Sequence, residues 1–170
     1  LLGVIGAPAA AQDYPNRPIT LVVPFPAGGG NDALARVVAE KMSKTLGQQV
    51  VVENRGGANG AIGLQALMQS DPDGYTIATS SDTPLVVNPW LYDKLPYQAL
   101  RDFVPAATLV RFPGMLAVHP SVQAQTVAEL IALAKAKPGG LAYASAGVGN
   151  FSHLAMELFK TRAGIDLVHV

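Results

Sequence analysis

ITLVVPFPAGGGNDALAR, Ile19 to Arg36, runs from a short apolar segment through consecutive glycines into a helical pattern. The apolar run Ile19–Phe25 is of the buried parallel-strand type. A strand, a glycine-rich turn and a helix start in succession make room for an anion. The first turn of a helix carries unpaired amides and the positive end of its dipole. The sequence thus raises a choice between a nucleotide phosphate and a carboxylate as guest.

Working outward, strand and helix patterns alternate. Leu34, Val37, Val38, Met42 and Leu46 recur at helical spacing, and Gly47 stands where a C′ glycine belongs. QQVVVEN predicts a second strand and Ala58–Gln69 a second helix, reached through RGGANGAIG. DPDG predicts a turn, and YTIATSS a third strand. This βαβαβ order implies a parallel sheet with right-handed crossovers. A proline-punctuated middle follows, with a short helix expected around Leu85–Leu91. AATLVRFPGMLAVHP reads as two short strands broken at Phe112-Pro113-Gly114, and a domain crossover is expected near Pro105–Val110. Thr126 and Glu129 form a capping box opening a helix with Val127, Leu130, Ile131 and Ala134 on one face. LAYASAG predicts a strand, and Asn150–Ala163 a helix with Leu154, Leu158 and Phe159 inward. DLVHV begins another strand. The second half repeats the grammar of the first.

Composition excludes several classes. The chain has 170 residues, zero formal net charge and 14% charged residues. A neutral balance without basic clusters gives no footprint for nucleic acid or an anionic membrane. The absence of cysteine removes disulfides, thiolate catalysis and cysteine metal sites together. His119, His153 and His169 show no metal-ligand spacing, so neither a metal nor another cofactor is expected. They read as structural, with His153 a first-turn polar contact.

The opening LLGVIGAPAAAQDYP reads as the tail of a signal peptide. Leu1–Gly6 supplies the end of an apolar region and Ala9-Ala10-Ala11 a small-residue cleavage site. It is too short to span a bilayer. Both ends look cut, and the expected organisation is a signal remnant over 1–13, domain I over 14–105, and an incomplete domain II over 106–170.

Three strands end in loops suited to a ligand: PFPAGGGND, TSSDTP and SAGVGNFSH. In open parallel sheets, ligands sit beyond the carboxyl ends of the strands. The candidate binding residues are Phe25, Pro26, Ala27, Gly28 and Gly29 in the first loop, and Ser80, Ser81, Asp82 and Thr83 in the second. The third loop adds Ser145, Ala146, Gly147, Gly149, Asn150, Ser152 and His153. Glycines permit close backbone approach, the hydroxyls offer neutral donors, and Phe25 offers either an apolar wall or packing for the strand end.

Two enzyme readings compete. Gly28-x-Gly30-x-x-Ala33 fits a dinucleotide fingerprint, with Glu53 as the ribose-binding acid. The fingerprint needs its first glycine directly after the strand, whereas Pro24-Phe25-Pro26-Ala27 intervene. YASAG is one residue short of a nucleophile elbow at Ser145, and bulky Tyr143 stands where the sharp turn needs a small residue. Asp166 and His169, its candidate partners, share one short strand, whereas a triad draws them from separate loops.

Taken together, YPNRPITLVVPFPAGGGNDALAR, VVVENRGGANGAIG, DPDGYTI, NPWLY, RDFVP, VAELIALAKAKPG and YASAGVGNFSHLAMELFK resemble the Bug receptors. These are the extracytoplasmic solute-binding subunits of tripartite tricarboxylate transporters. The resemblance runs from Tyr14 to Val170. It implies an α/β clamshell of the type II periplasmic-binding-protein kind, here truncated, with parallel sheets flanked by helices. It also implies a non-enzymatic, periplasmic protein, monomeric when full length. Such a protein carries a small carboxylate between two domains to integral membrane transporter subunits. A sensing role would use the same clamshell. The resemblance implies that the Phe25–Gly29 loop approaches the ligand and that the Ser145–Ser152 loop grips a carboxylate. Gly56 stands where the family often has proline, and Asn150 replaces a commoner Ser or Thr.

Overall fold

The computed structural model describes residues 14–170, so the expected signal segment lies outside the described residues. The chain divides into two compact units. The first comprises residues up to Gly57 together with Ile62–Thr79, and the second Ala58–Ala61 together with Ser80–Val170. The crossover expected at 105–110 falls inside the second unit.

The first unit is built on β1 (Ile19–Val23), flanked by β2 (Val50–Asn54) and β3 (Thr76–Ala78) in the order β2-β1-β3. Both pairings are parallel, with Leu21 opposite Val52 on one side and Ile77 on the other. A central parallel strand is covered on both faces, and Ile19, Leu21, Val22 and Val23 are all buried. Helix α1 (Gly30–Leu46) packs the buried pair Ala35 and Ala39 onto this strand, extended by Met42 and Leu46.

 The helix ends on Gly47 in the left-handed conformation, whose N–H closes onto Ser43 O. Val37, expected inward, is exposed. The buried stripe follows Asp32, Ala35 and Ala39, and Val37, two residues from both alanines, falls about 160° away from them in a helix of 3.6 residues per turn. Helix α2 (Ala61–Met68) brings Gly63 against Pro24 and the Arg55 carbonyl.

From Ser80 onward the second unit forms a wide helical turn, Thr83–Val87, followed by α3 (Asn88–Leu91) and α4 (Ala99–Asp102). The turn and α3 match the short helix expected around Leu85–Leu91, while α4 carried no clear sequence signal. Tyr97 is buried, donates its hydroxyl to Pro84 O at 2.5 Å, and tilts against Phe103. Burial raises the Tyr97 pKa.

Residues 106–118, expected as two strands, form none. Their apolar side chains, among them Phe112 and Met115, are exposed. A strand needs a partner for its backbone groups, and no described strand pairs with this segment.

Helix α5 (Val127–Ala136) opens on the expected capping box, with both Thr126 and Glu129 engaged. Leu130 and Ala134 are buried and Ile131 packs beside them, whereas Val127, in the first turn, is exposed. Strands β4 (Ala142–Tyr143) and β5 (Val168–His169) pair in parallel around α6 (Phe151–Ala163). In α6 the packed stripe is Met156, Phe159 and Ala163. Leu154 and Leu158, expected inward, lie off that stripe and are exposed.

Candidate functional site

The first loop holds an anion that belongs to the chain itself. Asp32, in the first turn of α1, is buried, and its carboxylate accepts the Gly28 N–H at 2.8 Å. Arg36 Nε donates to the same oxygen at 3.0 Å, and Asn54 Nδ2 donates to the other at 3.0 Å. Asn54 Nδ2 also reaches Phe25 O at 3.1 Å, tying β2 to the loop. Donation from Arg36, then from Gly28 and Asn54, lowers the Asp32 pKa to about 2. Gly28 adopts φ +84°, a conformation open to glycine. Phe25 is half-buried and packs against the core cluster around β1, while Pro26, Ala27, Gly28 and Gly29 are exposed. Gly56 lies against Pro26, where an added Cβ would come within 3.2 Å of the Pro26 nitrogen.

This arrangement answers the dinucleotide reading. A pyrophosphate at the start of α1 would meet the ionised Asp32 carboxylate, and like charges repel. Glu53, the candidate ribose acid, is paired with Arg55 at 2.8 Å. Asp32 was within the quoted motif but carried no assigned role. Its place in the first turn, where acids are favoured, is a signal for the residue but not for its partners Arg36, Gly28 and Asn54.

The second loop, Ser80–Thr83, lies in the second unit. Ser80 and Asp82 are exposed, Ser81 is half-buried and Thr83 is buried. The Asp82 carboxylate accepts the Thr83 N–H at 2.9 Å, which caps the wide turn. Thr83 Oγ1 and Asn88 Oδ1 are buried and without a hydrogen-bond partner. Asn88 Nδ2 donates to Asn59 O at 3.2 Å and Ala58 O at 3.4 Å.

The third loop carries more polar groups and is internally braced. Asn150 caps α6, its side chain accepting the Ser152 N–H at 3.2 Å. Replacing Asn150 by alanine is expected to cost about 0.5–2 kcal/mol of stability, measured by urea unfolding. Ser152 Oγ accepts the Ala146 N–H at 3.0 Å, and His153 Nδ1 accepts the Gly149 N–H at 3.2 Å. Gly147 and Gly149 both have positive φ, +121° and +79°. Ser145 Oγ meets both the Gly147 N–H and His169 Nε2, at 3.2 and 2.8 Å.

The Ser145–His169 pair is half of a hydrolase arrangement. Among the described residues, no carboxylate hydrogen-bonds His169, and Asp166 gives its backbone carbonyl to Gly139 instead. Without an orienting acid the pair lacks the third member of a triad. His169 lies tilted between Tyr143 and His153, at ring separations of 4.9 and 4.5 Å. Tyr143 donates its hydroxyl to Glu157 at 2.6 Å, and burial with the Glu157 charge raises its pKa to about 12. The histidines thus pack and brace this loop. Among the described residues, no cluster of ligating side chains could hold a metal.

The structure brings the third loop together with Asn59, which was not singled out from the sequence. Asn59 Nδ2 donates to Val148 O at 2.9 Å.

Comparison with known proteins places these loops in a family. Residues 34–170 match the family described as "Tripartite tricarboxylate transporter family receptor", TctC. Protein BugT of Bordetella pertussis is 44% identical over 161 residues, covering 94% of this chain and 49% of its own length. Among solved structures, R. palustris Rpa4515 with adipate is 37% identical, with a TM-score of 0.88 over 93% of this chain and 53% of that one. MatC (Rpa3494) from Rhodopseudomonas palustris with bound malate is 30% identical, with a TM-score of 0.80 over 92% of this chain and 53% of that one. The chain spans about half the length of the curated relatives it matches. Its α/β fold with parallel sheets is that of the TctC-type binding proteins, and by sequence and fold alike the chain belongs to the tripartite tricarboxylate transporter receptor family.

Proposed function

We propose that this chain is part of a periplasmic solute-binding protein, which captures a small organic carboxylate between two domains. The full-length protein acts as a monomer and hands its cargo to integral membrane transporter subunits, without catalysing a reaction. The observation that carries this reading is the likeness to Rpa4515, whose structure contains adipate. Among the described residues, no helix is long and apolar enough to cross a membrane.

The chemistry of the third loop supports an anionic cargo. The Ala146, Gly147, Gly149 and Ser152 amides brace the loop, and its remaining neutral donors, the Val148 and Phe151 amides, stand at or just before the start of α6, where the helix dipole favours negative charge. Gly147, Gly149 and Ser145 shape the approach, and Ser152 staples the loop through Ala146. The first loop plays a different part. With Asp32 already bound at the start of α1, the Phe25–Gly29 segment meets cargo through its exposed backbone and not through the helix amides.

The test is the molecule carried by the full-length protein when purified from its host, identified by mass spectrometry. Titration calorimetry with adipate and malate then follows. A carboxylate bound at one site per chain is the expected result, and bound NAD or FAD overturns the reading. Gly147→Val, which forces a β-branched residue to φ +121°, is expected to abolish that binding in the same titration.

A further inference from the structure

Asn59 sits in a segment whose backbone is strained. Ala58 and Asn59 have φ of 47° and 51°, the described non-glycine residues with positive φ. Asparagine tolerates this left-handed region better than most residues. The segment is fastened from behind by Asn88, which is fully buried and donates to both carbonyls. From this platform the Asn59 side chain crosses 89 positions of sequence to Val148 O, at 2.9 Å.

The consequence lies in one peptide unit. The carbonyl of Val148 and the N–H of Gly149 belong to the same plane and point opposite ways. Asn59 takes the carbonyl, and His153 Nδ1 takes the N–H at 3.2 Å. Gly149 is also pressed against Leu91. A peptide plane held on both sides has to break both hydrogen bonds to flip. Its carbonyl, an acceptor that would repel an anion, is neutralised by a donor.

We propose that Asn59 is a positioning residue for the Ser145–His153 loop, fixing the Val148–Gly149 peptide so that the loop presents donors to a carboxylate. This rests on the reading of that loop as the cargo grip.

The test uses the full-length protein with Asn59→Gly and Asn59→Asp. Glycine removes the side-chain donor but relieves the left-handed strain. Aspartate keeps the shape and places an acceptor opposite the Val148 carbonyl. One net hydrogen bond corresponds to about 2- to 12-fold. In Asn59→Gly, adipate or malate affinity is expected to fall by about that factor while the melting temperature holds or rises. Asn59→Asp is expected to bind more weakly still. Amide hydrogen exchange at Gly149, measured without ligand, is expected to quicken by a similar factor in both variants.

A purely structural residue would lower melting temperature and affinity together, and that result overturns the proposal. Unchanged exchange at Gly149 in both variants overturns it too, as does faster exchange with unaltered affinity. Should the purified parent protein carry no carboxylate and bind neither acid, the carboxylate reading fails, and the exchange data alone decide whether Asn59 holds the loop.

Discussion

Gly63→Ala is expected to destabilise the protein by about 1–3 kcal/mol, although alanine is the better helix former by about 1 kcal/mol. The position lies within α2, where an added Cβ would stand 2.7 Å from both Pro24 Cα and Pro24 Cβ. It would also come within 2.8 Å of the Arg55 carbonyl. Two of these three neighbours are backbone atoms, and Pro24 is fully buried at the end of β1. The contact therefore cannot be relieved by a rotamer change and has to move β1 or the helix. Urea unfolding with an unchanged slope checks this, since a change in midpoint alone reports stability. Gly30→Ala, at a site with no neighbour within 4 Å of the added carbon, serves as the control and is expected to be neutral or slightly stabilising. Equal losses at both positions would mean that the close packing of Gly63 does not decide the effect.

The second large effect concerns acid. Asp32 has its pKa lowered to about 2 from 3.8, first by the Arg36 hydrogen bond and then by Gly28 and Asn54. A carboxylate with a depressed folded pKa favours the folded state fully above its unfolded value. That contribution is lost as pH falls through about 2. Between about pH 4 and pH 2 the unfolded chain takes up a proton that the folded chain refuses, so stability declines. Asp32→Asn is expected to flatten this part of the acid limb and to lower the melting temperature at neutral pH. Glu40→Gln offers the comparison, because the Glu40–Lys44 pair is exposed on both sides and such pairs contribute little. Melting curves from pH 7 to pH 2 check both variants. An acid limb unchanged by Asp32→Asn would place the acid sensitivity elsewhere.

The first sheet was legible because its signals are local and repeated. Ile19–Val23 is continuously apolar, Gly47 marks the end of α1, and the turn at DPDG precedes β3. The capping box of α5 was legible for the same reason, since Thr126 and Glu129 stand three positions apart. Helix faces were less legible where large residues stood beside small ones. In α1 the sequence weighted Val37, yet Ala35 and Ala39 are buried, because small residues admit the close approach to β1. The strands expected at 106–118 failed for a reason of another kind. Alternating apolar residues specify a strand only where another strand receives their backbone groups.

At the loops, residue types were legible and partners were not. Glycines and hydroxyls announced a turn open to an anion, but nothing local revealed that Asp32 fills the start of α1. Still less did the sequence reveal that Asn59 would reach Val148, since the two are 89 positions apart. The donor sets of both loops depend on residues brought in by the fold.

The order of strands β2-β1-β3 bears on how the protein is made. β1 is the centre of its sheet and the first of its strands to leave the ribosome, and both neighbours follow within the next stretch of chain. Every hydrophobic member of the cluster around it, from Ile19 to Ile77, has been synthesised by the time Thr79 appears. N-terminal domains generally fold first during synthesis, and among the described residues the sheet pairs its strands without anything later in the sequence. A translational pause after Thr79 would therefore give the sheet time to close before the later residues compete for its apolar surface.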